Sequence, residues 1–111
     1  MRAFKLAIIA LAMLVIWQLF GPEPLPGSAA EVSPGNDVVM FTAPWCGYCD
    51  QARAHMNRKQ VEFLEIDIES SVEANDAWRD AGGRGVPLTF IGDQRLAGYS
   101  AQAYDQALDA L

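Results

Sequence analysis

Cys46-Gly47-Tyr48-Cys49 holds the only two cysteines of a 111-residue chain. A thiolate next to a second thiol can exchange with a disulfide: one sulfur attacks, the other closes the ring and releases the product. That chemistry needs the first sulfur ionised and reachable. A helix N-terminus favours the thiolate, because its free N–H groups and positive dipole end face the sulfur. The flanking sequence predicts this placement. Val38-Val39-Met40-Phe41 is an apolar run of buried-strand length, and residues 50–59 read as a helix. Strand, C-x-x-C and helix in that order present a redox dithiol. Tetrahedral zinc takes four ligands, and His55 is the only imidazole in the chain, so no metal site is expected.

The elements that carry this motif occupy only part of the chain. Arg2 and Lys5 precede an apolar stretch, residues 6–20, broken only by Gln18. As a helix, residues 3–20 extend roughly 25 Å, near the thickness of a hydrocarbon core, and Trp17 suits its interface. An uncleaved signal-anchor is the preferred reading of residues 1–20. A signal peptide cut at Ser28-Ala29-Ala30 is the alternative. The positive charges keep the N-terminus cytoplasmic, so the rest of the chain lies on the extracytoplasmic side, the periplasm of a bacterium. Residues 21–36, rich in Pro and Gly, read as a tether able to span at most about 50 Å. Residues 37–111 form one small domain. Arg2 and Lys5 offset Glu23 and Glu31, so the whole net charge of −6 falls on that domain. An acidic surface argues against a nucleic-acid partner.

Within the domain, Val38–Thr42 is a strand, and residues 46–58 are a helix with Cys49, Ala52 and Met56 on one face. Cys49 should therefore point inward and Cys46 sit exposed at the helix tip. His55 is read as a partly exposed helix residue. Residues 61–68 alternate as a second strand. Ser70 or Ser71 caps a second helix, which carries Val72, Ala77 and Trp78 and stops at Gly82-Gly83. Leu88–Ile91 and Gln94–Ala97 form a hairpin about Gly92-Asp93. Residues 101–111 make a last helix with Tyr104, Ala107, Leu108 and Leu111 on one stripe. The order βαβ then ββα implies an α/β domain with a four-stranded mixed sheet.

These residues resemble the glutaredoxin branch of the thioredoxin superfamily over nearly all of 37–111. The matching pieces are Phe41-Thr42-Ala43-Pro44-Trp45-Cys46-Gly47-Tyr48-Cys49, Gly85-Val86-Pro87, Phe90-Ile91-Gly92-Asp93 and Gly98-Tyr99-Ser100. The resemblance implies a minimal thioredoxin-like fold and thiol–disulfide exchange on protein disulfides or glutathione mixed disulfides. It implies Cys46 as nucleophile and Cys49 as resolving thiol, with no prosthetic group required and glutathione a candidate co-substrate. Trp45, Gly47, Tyr48, Arg84, Val86, Pro87, Gly98 and Tyr99 would line the substrate groove, with Pro87 cis as in the superfamily.

The sequence departs from that pattern at two places. No lysine stands shortly before Cys46, and Gly98-Tyr99-Ser100-Ala101 lacks the family's acidic pair. Both help such proteins hold glutathione, so a protein dithiol is the expected electron donor. A monomer is expected. Two other classes have their own signatures. A glutathione-assisted 2Fe–2S dimer, compatible with Gly47, would be coloured, and a redox-silent interaction module would carry no reactive thiol.

Overall fold

The computed structural model describes residues 2–21 and 25–111. Its elements are α1 (Arg2–Phe20), α2 (Ala29–Val32), β1 (Val38–Thr42), α3 (Gly47–Arg58), β2 (Leu64–Asp67), α4 (Val72–Asp80), β3 (Leu88–Ile91), β4 (Gln94–Ala97) and α5 (Ala101–Asp109). The strands form one sheet in the order β2-β1-β3-β4. β1 and β2 are parallel, while β1–β3 and β3–β4 are antiparallel. This is the thioredoxin-like fold.

The two central strands explain the layering. Every residue of β1 and β3 is buried, whereas β2 and β4 form half-open edges. Side chains on a strand alternate between faces. Val39 and Phe41 therefore join Leu88, Phe90, Ala81 and both cysteines in one apolar layer, with Trp78 of α4 packed on it. Val38 and Met40 join Ile91, Ala52, Met56, Tyr104 and Ala107 in the other, beneath α3 and α5. Strand β2 is shorter than the expected 61–68, because only Val39, Met40, Phe41 and Thr42 of β1 pair with it. Val61 and Phe63 lie before the pairing starts and pack on the α3–α5 layer.

Helix starts follow local chemistry. Ser71 and Ser100 cap α4 and α5, each side chain accepting from the backbone N–H three residues on. Val72, expected on the apolar face of α4, is exposed instead, and so is Ala77. Trp78 and the C-cap residue Ala81 pack this helix on the core, and Asn75 Nδ2 donates to the Ile68 carbonyl at 3.4 Å. The last helix ends at Asp109, and Leu111 is exposed rather than part of the stripe.

Three further differences concern the ends and the interior. Residues 21–36, expected as a tether, contain α2. Ser28 and Glu31 form a reciprocal capping box, and Ala29 is buried in the core. Burial of one methyl group and a backbone bond from Ala29 N–H to the Gly92 carbonyl (2.9 Å) fasten this segment. His55, expected to be partly exposed, is only 5 % exposed. Its Nε2 donates to Asp105 Oδ1 at 2.8 Å, and its Nδ1 accepts from the Tyr99 hydroxyl at 2.9 Å. Desolvation of an imidazole is tolerable only with both nitrogens satisfied, and α5 and the loop before it supply the partners. The hydrogen bond from His55, helped by Lys59, holds the Asp105 carboxyl below its ordinary value.

Helix α1 is 19 residues long, and none of its described residues is buried. By length and composition it can cross a membrane, and a signal sequence would look the same.

Tyr104 and Thr89 are fully buried and share a hydroxyl–hydroxyl hydrogen bond of 2.6 Å. Burial pushes the Tyr104 phenol up to about 12. The unfolded chain loses that proton near 10, so the group's stabilisation is complete below pH 10 and disappears as pH rises towards 12. Urea titrations between pH 9 and 12 should show stability falling across this window, with Tyr104→Phe removing that component of the slope. At neutral pH the same variant leaves the Thr89 hydroxyl unpaired and should cost about 1–3 kcal/mol.

Candidate active site

The site forms where the buried strand β1 ends and α3 begins. Ala43 to Trp45 make the turn, closed by a bond from Cys46 N–H to the Ala43 carbonyl at 3.2 Å. Cys46 is the N-cap residue of α3, in an extended backbone conformation. Its Sγ accepts the Cys49 N–H at 3.1 Å. Cys46 and Cys49 are joined as a disulfide, with Cα atoms 5.2 Å apart.

The expected exposure of Cys46 needs correcting in this oxidised state. Cys46 is 6 % exposed and Cys49 is wholly buried. Bonding to the inward-pointing Cys49 draws the first sulfur into the apolar layer. Of the two residues, Cys46 is the less deeply buried.

Around the pair, Trp45 and Tyr48 are 69 % and 63 % exposed and form an aromatic rim. The Trp45 indole N–H donates to Glu69 Oε1 at 3.0 Å, which lays the ring towards the β2–α4 loop. A Cβ placed on Gly47 would meet nothing within 4 Å, so the approach at that position is open. Arg53 bridges Asp50 (2.7 Å) and Glu65 (2.6 Å), tying the first turns of α3 to β2.

The other side of the site is the loop before β3. The Val86–Pro87 peptide is cis. Val86 packs against the layer that contains both cysteines, so the loop and the disulfide are brought together. Three contacts hold this loop. Trp78 Nε1 donates to the Gly85 carbonyl at 3.1 Å, Arg95 Nη2 to the Gly82 carbonyl at 3.0 Å, and Gly98 N–H to the Pro87 carbonyl at 2.9 Å. Gly98 has φ +82°, a conformation that favours glycine. Arg84, Val86 and Gly98 line one cavity of about 450 Å³. A larger cavity, about 1020 Å³, lies between α4 and the segment before β1 and touches none of the expected site residues.

Tyr99 is not brought to the cysteines by its side chain. Its hydroxyl is engaged by His55, and its ring meets His55 and Tyr104 edge-on at 5.7 and 5.1 Å. Two residues the sequence does not mark as part of the site support it: Glu69 through Trp45, and Trp78 through the Gly85 carbonyl. The signal for Trp78 was the neighbouring Gly83: the indole occupies the space a Cβ would take there.

A family model described as Glutaredoxin matches residues 38–96, which include Cys46, Cys49, Val86 and Pro87 and end before Gly98. This chain belongs to the glutaredoxin family. The glutaredoxin of Pseudomonas aeruginosa is 37 % identical over 62 residues, 55 % of this chain and 74 % of that protein. Glutaredoxin 3 of Escherichia coli is 32 % identical over 63 residues, covering 56 % and 76 %. The crystal structure of a glutaredoxin from Archaeoglobus fulgidus superposes with a TM-score of 0.62 at 21 % identity, over 79 % of this chain and 97 % of that one. The glutaredoxin domain is thus a thiol–disulfide oxidoreductase with its redox pair at Cys46 and Cys49. Glutathione and protein disulfides are the partners the family implies.

The cap geometry makes a direct prediction. In the reduced protein the α3 N-terminus should hold Cys46 as a thiolate, and Cys49 should be shielded. Iodoacetamide at pH 6, followed by peptide mass spectrometry, should label Cys46 at least tenfold faster than Cys49. Preferential labelling of Cys49 would reverse the assignment.

Proposed function

We propose that Cys46 is the nucleophile and Cys49 the resolving thiol of a membrane-anchored disulfide reductase. The Cys46 thiolate attacks a substrate disulfide, forms a mixed disulfide and expels one substrate thiolate, which takes up a proton. The Cys49 thiolate then attacks Cys46 Sγ, closes the intramolecular disulfide and releases the second substrate sulfur. Two electrons pass from the dithiol to the substrate, and no prosthetic group takes part. The observation that carries this reading is the Cys46–Cys49 disulfide at the N-cap of α3, with Cys46 capping the helix and Cys49 wholly buried.

The rim supplies the binding surface. Trp45 and Tyr48 offer exposed aromatic area, and Gly47 leaves the approach clear. The Val86 peptide pairs with an extended substrate backbone, since Pro87 has no N–H to compete. Arg84, exposed at the cavity mouth, meets a substrate carboxylate, and Gly98 shapes the opposite wall. The domain works as a monomer. Helix α1 stays attached as a single membrane span, with Arg2 and Lys5 on the cytoplasmic side and the redox domain outside.

The electron donor is a protein dithiol in preference to glutathione. Glutathione would lack the acidic pair at 98–101 and a lysine before Cys46, leaving Arg84 to meet its carboxylates. Each missing charge-assisted hydrogen bond is worth roughly 1.5–3 kcal/mol. Two together weaken binding by about a hundredfold or more.

Two measurements check this. Cys46→Ser should abolish disulfide reduction, whereas Cys49→Ser should accumulate a mixed disulfide with substrate. At matched potential, a thioredoxin-type dithiol should reduce the Cys46–Cys49 disulfide much faster than glutathione. Rapid, saturable reduction by millimolar glutathione would overturn the donor assignment and leave the cysteine roles intact.

A further inference from the structure

Most of the chain between α1 and β1 is held to the domain. Leu25, 60 % exposed overall, touches the domain at Gly82, where an added Cβ would come within 2.8 Å of Leu25 Cδ1. Leu25 also lines the 450 Å³ cavity together with Arg84, Gly85 and Val86. Gly27 N–H and Ser28 N–H donate to Glu31 Oε2 at 2.6 and 3.2 Å, closing the turn into α2. Ala29 is buried and bonded to Gly92, and Val32 packs on the same layer.

The consequence is one of length. From Phe20 to Leu25 there are five peptide steps, which span at most about 18 Å. Were residues 25–36 free, Phe20 to Asp37 would reach about 60 Å by the same rule. Docking therefore cuts the play between the apolar helix and the domain to about a third. The docked end is also the end beside the active-site loop, because Leu25 and Val86 line one cavity.

We propose that residues 25–32 are a strap that holds the redox domain at the bilayer surface with its Val86–Pro87 side towards the anchor, so that its substrates are disulfides in the juxtamembrane segments of integral membrane proteins. The proposal rests on α1 remaining a membrane anchor. A domain of this size is about 30 Å across, so the strapped site works within about 50 Å of the hydrocarbon edge. Partners that present a disulfide higher than this are out of range, whatever their affinity for the groove.

The test uses the full chain reconstituted in phosphatidylcholine–phosphatidylglycerol vesicles and pre-reduced. The probes are single-span peptides carrying a reporter mixed disulfide about 15 Å or about 70 Å above the bilayer, and a soluble peptide with the same reporter. The native chain should react at least tenfold faster with the low disulfide than with the high one. Twelve Gly/Ser residues inserted between Glu23 and Pro24 add up to about 40 Å at full extension and leave the strap docked, so they should bring the high disulfide into range and narrow this difference at least twofold. Ala29→Glu, which drives a charge out of the core, should release the strap and do the same. Unchanged rates on the soluble peptide show that each variant is folded, and the insertion variant alone suffices if Ala29→Glu is not. Equal rates at both heights for the native chain, or an unchanged ratio after insertion, would overturn the strap while α1 stays in the vesicles. Recovery of the native protein from cells in soluble form, with its N-terminus beyond Phe20, would instead overturn the anchor and the strap together.

Discussion

The contact on which the site depends is the one between Cys46 Sγ and the backbone N–H of Cys49. It makes a sulfur the cap of a helix. The N–H groups of a first helical turn have no partner within the helix, so something must satisfy them. Where serine or aspartate would do so in an ordinary helix, here the reactive atom does. The same bond that starts α3 therefore orients the sulfur and surrounds it with positive potential. Its position is set by β1, which is buried on both faces and cannot slide without exposing Val39 and Phe41 or Val38 and Met40.

The loop that packs beside the redox pair comes from a distant part of the chain. The loop ending in Pro87 belongs to no regular element. It is held by an indole from α4, a guanidinium from β4 and a backbone N–H from the β4–α5 turn. Each of these partners lies on a different element, so the loop is placed only once the sheet and α4 have assembled. On the α3–α5 side of the sheet, buried His55 bonds Tyr99 and Asp105 and so joins α3 to α5. Breaking either bond is costly because it leaves a buried imidazole nitrogen unpaired.

The N-terminal segment shows how a few small contacts change what a tether does. Ala29 contributes little area, and α2 is only four residues long. Yet a buried methyl, a backbone bond to Gly92 and a leucine against Gly82 are enough to turn a flexible spacer into part of the domain's surface. Proximity of a reactive group to its substrate is worth far more than contact area, because it replaces a bimolecular search by a local one.

The sequence by itself determined the elements that obey local rules. The bounds of β1, β3 and β4 follow from apolar runs and from the Gly92-Asp93 turn, the serine pair 70–71 marks the start of α4, and α5 begins at residue 101 as its apolar stripe implies. The redox pair was legible because C-x-x-C needs only a strand before it and a helix after it. Tertiary structure alone decided what depends on residues far apart in the chain. His55 is buried because Asp105, fifty positions on, arrives to satisfy it. Tyr99 turns from the groove because that histidine is there. The Ala29 segment docks because β3 and β4 leave the Gly92 carbonyl free to accept its N–H. A residue's periodicity reports which face of its own element it occupies, but not which partner covers that face. Burial, hydrogen-bond satisfaction and the docking of the segment before β1 all turn on the partner.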